Sequence, residues 1–594
     1  MAVLRAATAL LVLLALAGQE HAAAQNVVGI DFGSEWIKLA VVQRSAGVQI
    51  VLNEATKRKS PNALMFGQEQ REFGDTAMVK PHLAITHTRE LLGKGYSKDV
   101  LEQYGPHYFP YEVIHDEERG ALKIKEGERY LSPEALVAMM FTYAKSLAQH
   151  QTGEKASDCV ITVPAFYRQF SRQAILDAAQ IAGLNVLALM NDHTAVALKY
   201  GIDHNVHSLE EPLNVMFYDM GSTSTRASVV QFSSIPDKEA FQKNKTLGQL
   251  KILGVSWDES LGGTAFTQRV ADVLTTRSKK SPEGNRRAWA KMLATAEKTK
   301  VILSANKDAH PTIESFIDDY DFRGSILRAE FEEASTDLFG RVAQPIRDAI
   351  AAANISKDDI HRIEVVGGGW RIPKIQDIIL EETGKTQLQK TMNADEAFCF
   401  GAALYAASLS TAFRLRKFGV HDMTSFPVSI DIDSLAAGAM EEAKEEDAEE
   451  GEEKKDEEEA PAAASGGKKN IKLFKVGHKI PAKRLLTFKR DEDLTFTVKY
   501  DDEVPGSVPR VIAKYNITGV KGAIEKYPNG SKPKINVSFR LTRSGLVDVD
   551  KAEAAIEEMV EVEHCENVKI EEEEEEGAEL REKKEGEEGE EKKE

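Results

Sequence analysis

Three cysteines in 594 residues are too few for a disulfide framework. Cys159 lies in a strand-like run and Cys399 in an Ala-rich helical pattern, so both read as small buried residues. Cys565 lies among acidic residues, which disfavour its thiolate. Positive charge is also in deficit. A formal net charge of −19 repels nucleic acid and anionic lipid, so neither nucleic acid nor a membrane is expected as a partner. Beyond residue 24, no apolar run reaches the roughly 18 residues that a membrane-spanning helix needs. The last residues, Glu-Lys-Lys-Glu, do not form a KDEL-type retention signal.

The one apolar run of note stands at the start. Arg5 precedes a Leu/Ala/Val stretch over residues 6–17, and Ala22-Ala23-Ala24 is a small-residue cleavage site. Residues 1–24 therefore read as a signal peptide cut before Gln25, which sends the mature chain into the secretory pathway. Sequons at Asn244, Asn354, Asn516, Asn529 and Asn536 are candidate glycan sites in that setting. Glu-rich runs over residues 440–459 and 571–594 cannot offset chain entropy by burial, so they read as disordered. They fit solvating spacers or weak calcium-buffering carboxylate clusters.

Between these features the chain is ordinary globular sequence. Residues 25–410 alternate short β-rich runs (27–31, 37–42, 160–163, 215–218 and 363–366) with helical patterns over 132–148, 168–183 and 286–303. Ser132 followed by Pro133 marks a helix start, and Gly183 marks an end. This is α/β composition on the scale of a two-lobed domain. After a basic-apolar stretch at 413–420 come alternating strand-like runs at 426–432, 471–476, 485–490, 494–500, 511–517 and 534–540. These suggest a small all-β domain, 425–568, with an acidic loop at 437–468, joined to the first domain by a linker at 411–424. An acidic tail, 569–594, follows.

The strongest chemical signal is a repeated motif. Gly29-Ile30-Asp31-Phe32-Gly33-Ser34 follows one strand, and Phe217-Tyr218-Asp219-Met220-Gly221-Ser222-Thr223 follows another. The Gly lets the backbone approach a phosphate, and exposed N–H groups and hydroxyls then donate to its oxygens. The Asp can hold Mg²⁺, usually through water. A third Gly-rich turn, Val365-Val366-Gly367-Gly368-Gly369 with Arg371-Ile372-Pro373, would let a nucleoside lie against the backbone.

Residues 27–410 resemble the nucleotide-binding domain of the 70-kDa heat-shock proteins throughout. The resemblance rests on Val160-Ile161-Thr162-Val163-Pro164-Ala165, Ala182-Gly183-Leu184-Asn185-Val186-Leu187, Leu261-Gly262-Gly263, Phe331-Glu332-Glu333 with Asp337-Leu338-Phe339, and Asn393-Ala394-Asp395-Glu396-Ala397. Phe217-Tyr218-Asp219-Met220-Gly221-Ser222 and Leu303-Ser304-Ala305-Asn306 are similar to the large endoplasmic-reticulum branch, the hypoxia-up-regulated, 170-kDa glucose-regulated proteins. The resemblance implies a two-lobed, actin-like ATPase fold followed by a substrate-binding-type β-domain, with ATP and Mg²⁺ as cofactors. It places Gly33, Ser34 and Glu35 in the first phosphate loop and Gly221, Ser222 and Thr223 in the second. Asp31 and Asp219 would lie near Mg²⁺. Glu297, Lys300 and Ser304 would border the adenosine, with Gly368 and Arg371 across from them. Read without the resemblance, Glu297 and Lys300 are an ordinary i,i+3 surface pair.

Several positions depart from the family pattern. The catalytic Lys corresponds to Arg89, and the Glu of the Asn-Glu-Pro-Thr segment to Asp192 in Asn191-Asp192-His193-Thr194. An Asp that assists metal and water corresponds to Arg226, and the adenine-side Arg to Val301. Phosphoryl transfer depends on positioning and electrostatics, so these changes slow turnover more than they weaken binding. Arg414-Leu415-Arg416-Lys417-Phe418 replaces the acidic, Leu-rich linker of conventional members, and the helical lid expected after the β-domain does not follow, as in a truncated form. Three readings compete. The first is a chaperone of the endoplasmic reticulum lumen, acting as holdase for unfolded clients and as nucleotide-exchange partner of a conventional lumenal 70-kDa heat-shock-type chaperone. The others are a conventional ATP-hydrolysing chaperone and a small-molecule kinase on the same fold.

Overall fold

The computed structural model describes residues 26–105, 108–237, 245–432, 440–446, 453–454, 469–501, 504 and 508–558. Residues 1–24, read as a signal peptide, lie outside them, as do Asn244, Cys565, most of 437–468 and residues 569–594.

Two similar sheets organise the first part of the chain. In the first, strand Asn26–Phe32 has Asp158–Val163 parallel on one side, itself flanked by Asn185–Asn191. On its other side Asn26–Phe32 turns back antiparallel into Trp36–Gln43 and then Gly47–Ile50. The second sheet repeats this scheme: Leu213–Met220 lies parallel to Arg362–Gly367 and turns back into Thr225–Pro236, then Thr246–Asp258. Both Asp-x-Gly motifs thus occupy the turn of an equivalent hairpin. Fully buried runs such as Asn26–Phe32 are what strands covered on both faces require.

The helices form where the patterning places them. Pro133–Thr152 starts from Ser132, whose side chain accepts from the Ala135 N–H at 3.1 Å, and stops at Gly153 in the left-handed region (φ 71°). Arg286–Ala305 starts from Asn285 in the same way, and Gln169–Ile181 covers the third pattern. Helix Ala397–Leu409 packs on the first sheet and on helix Asp192–Asp203, so close to the sheet that a Cβ on Gly29 would meet the backbone of Cys399 and Ala403. Cys159 and Cys399 are free and buried, and burial pushes both thiols well above the ordinary range.

The later strands build two facing sheets. One is Lys469–Phe474, Val428–Ile432, Leu494–Tyr500 and Val511–Ile517; the other includes Ala482–Lys489, Lys534–Leu541 and Val547–Ala555. Alternate residues of Ala482–Lys489 and Lys534–Leu541 point inward, and Leu486, Phe488, Phe496, Val537 and Phe539 fill the space between. Three details differ from the sequence reading. Val520–Lys526 is a helix within a region read as all-β. Met440–Glu446, read as part of a disordered acidic loop, is a strand whose backbone pairs antiparallel with Ala482–Lys489. Phe418–Met423, within the linker, is a strand that joins the second lobe's sheet parallel to Thr246–Asp258.

Candidate functional site

The two hairpin turns face each other across a cleft of about 390 Å³. All the expected residues line it: Asp31, Gly33, Ser34, Glu35, Arg89, Asp192, Asp219, Gly221, Ser222, Thr223, Glu297, Lys300, Ser304, Gly368 and Arg371. Backbone hydrogen bonds build the second loop. Gly263 N–H donates to the Gly221 carbonyl at 2.9 Å, and Thr264 N–H to that of Ser222 at 2.7 Å. Gly367 closes the third turn at φ 78°, against the Met220 carbonyl and the Asp219 carboxylate.

At the end of the cleft where the resemblance places adenosine, Glu297 and Lys300 are more than a surface pair. The buried Lys300 ammonium donates to the Gly263 carbonyl (2.8 Å), Thr267 Oγ1 (2.7 Å) and Glu297 Oε2 (2.6 Å). It ties the helix Arg286–Ala305 to the second loop, while the exposed Val301 lends apolar surface at the mouth. Burial, with Glu297 nearby, raises the Glu35 carboxyl above its ordinary range.

At the two hairpin turns, the loops meet through their hydroxyls. Ser34 Oγ lies 2.8 Å from Thr223 Oγ1. Glu90, which sequence reasoning passed over, accepts from Ser34 at 2.5 Å and from Thr223 at 3.4 Å. The Arg89 guanidinium donates to the Phe32 carbonyl (3.2 Å), Ser34 Oγ (2.6 Å) and Glu90 Oε1 (3.2 Å). Its fork therefore braces the first loop.

The carboxylates are paired by cations of the chain itself. Lys38 Nζ lies 2.6 Å from Asp31 Oδ2, and Arg226 Nη2 lies 2.5 Å from Asp219 Oδ2. Arg226 Nη1 also pairs with Asp192. Burial pushes the Asp219 carboxyl up to about 6 against the pull of Arg226. Burial works the same way on Asp192, but Arg226 and His193 hold it below its usual range. Among the described residues no group of three or more His, Cys, Asp or Glu is arranged to hold a metal ion. The expected metal-side residues Asp31 and Asp219 thus do not offer a free carboxylate pair, and the donor set as it stands does not fit a resident Mg²⁺.

A polar chain leads from this site to the linker. His193 Nδ1 faces Asp192 and His193 Nε2 faces Asp422, each at 3.7 Å, an ion-pair distance. Burial works against the imidazolium, but the two carboxylates raise its pKa to about 9. Asn191 donates to both Asp422 oxygens, at 3.0 and 3.1 Å, and accepts from Arg172 at 2.6 Å. Arg172 reaches on to the Ser544 carbonyl at 3.1 Å. Beside it, Gln169 N–H donates to the Tyr500 hydroxyl at 2.6 Å, and Arg168 stacks on the ring of Phe426 at 3.7 Å. The β-structure is thereby docked on the first lobe.

A duplicated hairpin, with its two Asp-x-Gly turns facing across a cleft between lobes, is the architecture of an Hsp70-type fold. Residues 27–464 match the Hsp70 protein family, and the chain belongs to it. Its relatives include Hypoxia up-regulated protein 1 of Danio rerio, 36% identical over 556 residues, which cover 90% of this chain and 54% of that protein. The Xenopus laevis protein of that name is 35% identical over 90% of this chain and 82% of its own length. The Homo sapiens protein is 33% identical over 90% of this chain and 53% of its own. The chain thus spans about half the length of the fish and human relatives. Hsp70 proteins are an ATP-binding family of chaperones that typically use Mg²⁺. No helix among the described residues is long and apolar enough to cross a membrane.

Proposed function

We propose that residues 25–410 bind ATP or ADP in the cleft and that the protein works in the endoplasmic reticulum lumen as a holdase and nucleotide-exchange partner of a conventional lumenal 70-kDa heat-shock-type chaperone. Residues 425–568 would meet unfolded clients, through the linker 411–424. One observation carries the reading. The Arg226 guanidinium sits between Asp192 and Asp219, where hydrolytic relatives keep acid groups for water and metal. Nucleotide then serves as a clamp between lobes, with turnover slow. The signal-peptide reading of residues 1–24 and the relatives' hypoxia-linked name support the compartment and the stress setting.

The test has two parts. Release of a fluorescent ADP from a purified conventional lumenal chaperone is followed with and without this protein, and acceleration is expected. Single-turnover hydrolysis of labelled ATP by this protein is expected to stay near background. Fast hydrolysis with no effect on release would favour the conventional chaperone reading instead.

A further inference from the structure

Each hairpin carries the same cross-strand pair. Asp31 lies opposite Lys38 in the antiparallel register, and Asp219 lies opposite Arg226. In both hairpins the cation follows its Asp by the same interval, and in both the ion pair forms at 2.5–2.6 Å. All four side chains are nearly buried, between 9% and 12% exposed, yet all four line the phosphate end of the cleft. Directly opposed unlike charges are favourable in a sheet, and buried charges persist only when paired. Arg226 cannot give up its proton to make way for a metal. Its Nε has no hydrogen-bond partner among the described residues, so the guanidinium keeps an unspent donor. The Lys38 ammonium has three donors, which Asp31 alone does not exhaust.

Resting on the nucleotide reading above, we propose that Lys38 and Arg226 are built-in counter-ions for the nucleotide's phosphates. They stand where a divalent ion would otherwise bridge phosphate and carboxylate, so this site takes the metal-free nucleotide. The ligand class is a nucleoside di- or triphosphate without its divalent cation. Divalent dependence, normally set by the two strand-end carboxylates, is removed by the residue across the hairpin from each.

Calorimetric titration of the full chain with ADP, once with excess Mg²⁺ and once with excess EDTA, tests this. The expected dissociation constants agree within about threefold. A loss of about tenfold or more in EDTA would overturn the proposal. Absence of binding in both buffers would instead remove the nucleotide reading on which it rests. Arg226→Asp is expected to restore Mg²⁺ dependence, with binding in EDTA falling about tenfold or more below that in Mg²⁺. Lys38→Met makes the same test from the other hairpin, should Arg226→Asp fail to fold. Unchanged EDTA binding in both folded variants would also count against the proposal.

Discussion

The Ser34 hydroxyl donates to the Glu90 carboxylate at 2.5 Å, which turns a donor of the first hairpin loop inward. Thr223 is then left to donate to Ser34 or to Glu90, so both hydroxyl protons point at protein. A terminal phosphate would meet oxygen lone pairs there, with a carboxylate behind them. Glu90→Ala should release Ser34 and Thr223 from the carboxylate, and strengthen ATP binding by about tenfold while changing ADP little, since charged hydrogen bonds contribute about 1.5–3 kcal/mol. Paired titrations with ATP and ADP measure it; an equal change for both nucleotides would refute it.

Hydrolysis should respond to the arginines together. Arg226 neutralises Asp192 and Asp219, and Arg89 is engaged by Phe32, Ser34 and Glu90. The double change Arg89→Lys with Arg226→Asp should raise single-turnover hydrolysis at least about tenfold with Mg²⁺ present. A rate equal to that of the unaltered protein would show that something else limits turnover.

The docked linker should be pH-sensitive. His193 is held near 9 by Asp192 and Asp422, whose own carboxyls stay depressed, with the Arg226 and Arg172 guanidiniums the nearest cations to this cluster. A raised imidazole stabilises the folded form fully below its unfolded value of about 6.5, and loses that contribution as pH climbs through about 9. The effect is on the order of 1–3 kcal/mol. Proteolysis within residues 411–424 should therefore quicken between pH 7 and pH 10 in the natural protein. His193→Gln should flatten that profile; an identical profile in the variant would exclude His193 as the cause.

Two glycines should separate binding from folding. A Cβ at Gly221 meets nothing nearer than 3.6 Å, so Gly221→Val should keep its melting temperature while filling phosphate space, with nucleotide affinity down at least about tenfold. At Gly262 a Cβ would strike the backbone of Ser222 and Thr223, so Gly262→Ala should melt earlier as well as bind less. Melting curves and titrations on both variants decide; normal affinity in Gly221→Val would relocate the site.

Expressed in a secretory host, the mature chain should begin at Gln25. Glycans are expected at Asn354, Asn516 and Asn529, which are exposed, and not at Asn536, whose side chain accepts from Thr487 at 2.8 Å. Peptide mass spectrometry reads both; a Met1-bearing, unglycosylated product would refute the lumenal reading.

The cleft was legible because its loops are local. Asp-x-Gly after a strand dictates the turn, and the resemblance supplied the distant Glu297, Lys300 and Ser304. Glu90 and His193 escaped because their roles depend on partners far along the chain, such as Ser34 and Asp422. Lys38 left a faint trace, as a charge inside the apolar run of Trp36–Gln43 at the same interval from Asp31 as Arg226 from Asp219. The strand Phe418–Met423 was hidden for another reason. Its basic-apolar composition reads as a connection, and its place depends on Gly201 and Gly248, which leave room for the Phe418 ring.

That strand has a consequence for any shortened version of the protein. It covers Gly248, Gln249, Leu250 and Lys251 on Thr246–Asp258, which would otherwise present unpaired backbone groups along a sheet margin. An uncovered margin of this kind recruits strands from other molecules. A fragment ending at Ser410 should therefore self-associate more readily than one ending beyond Met423, which keeps this cover on Thr246–Asp258.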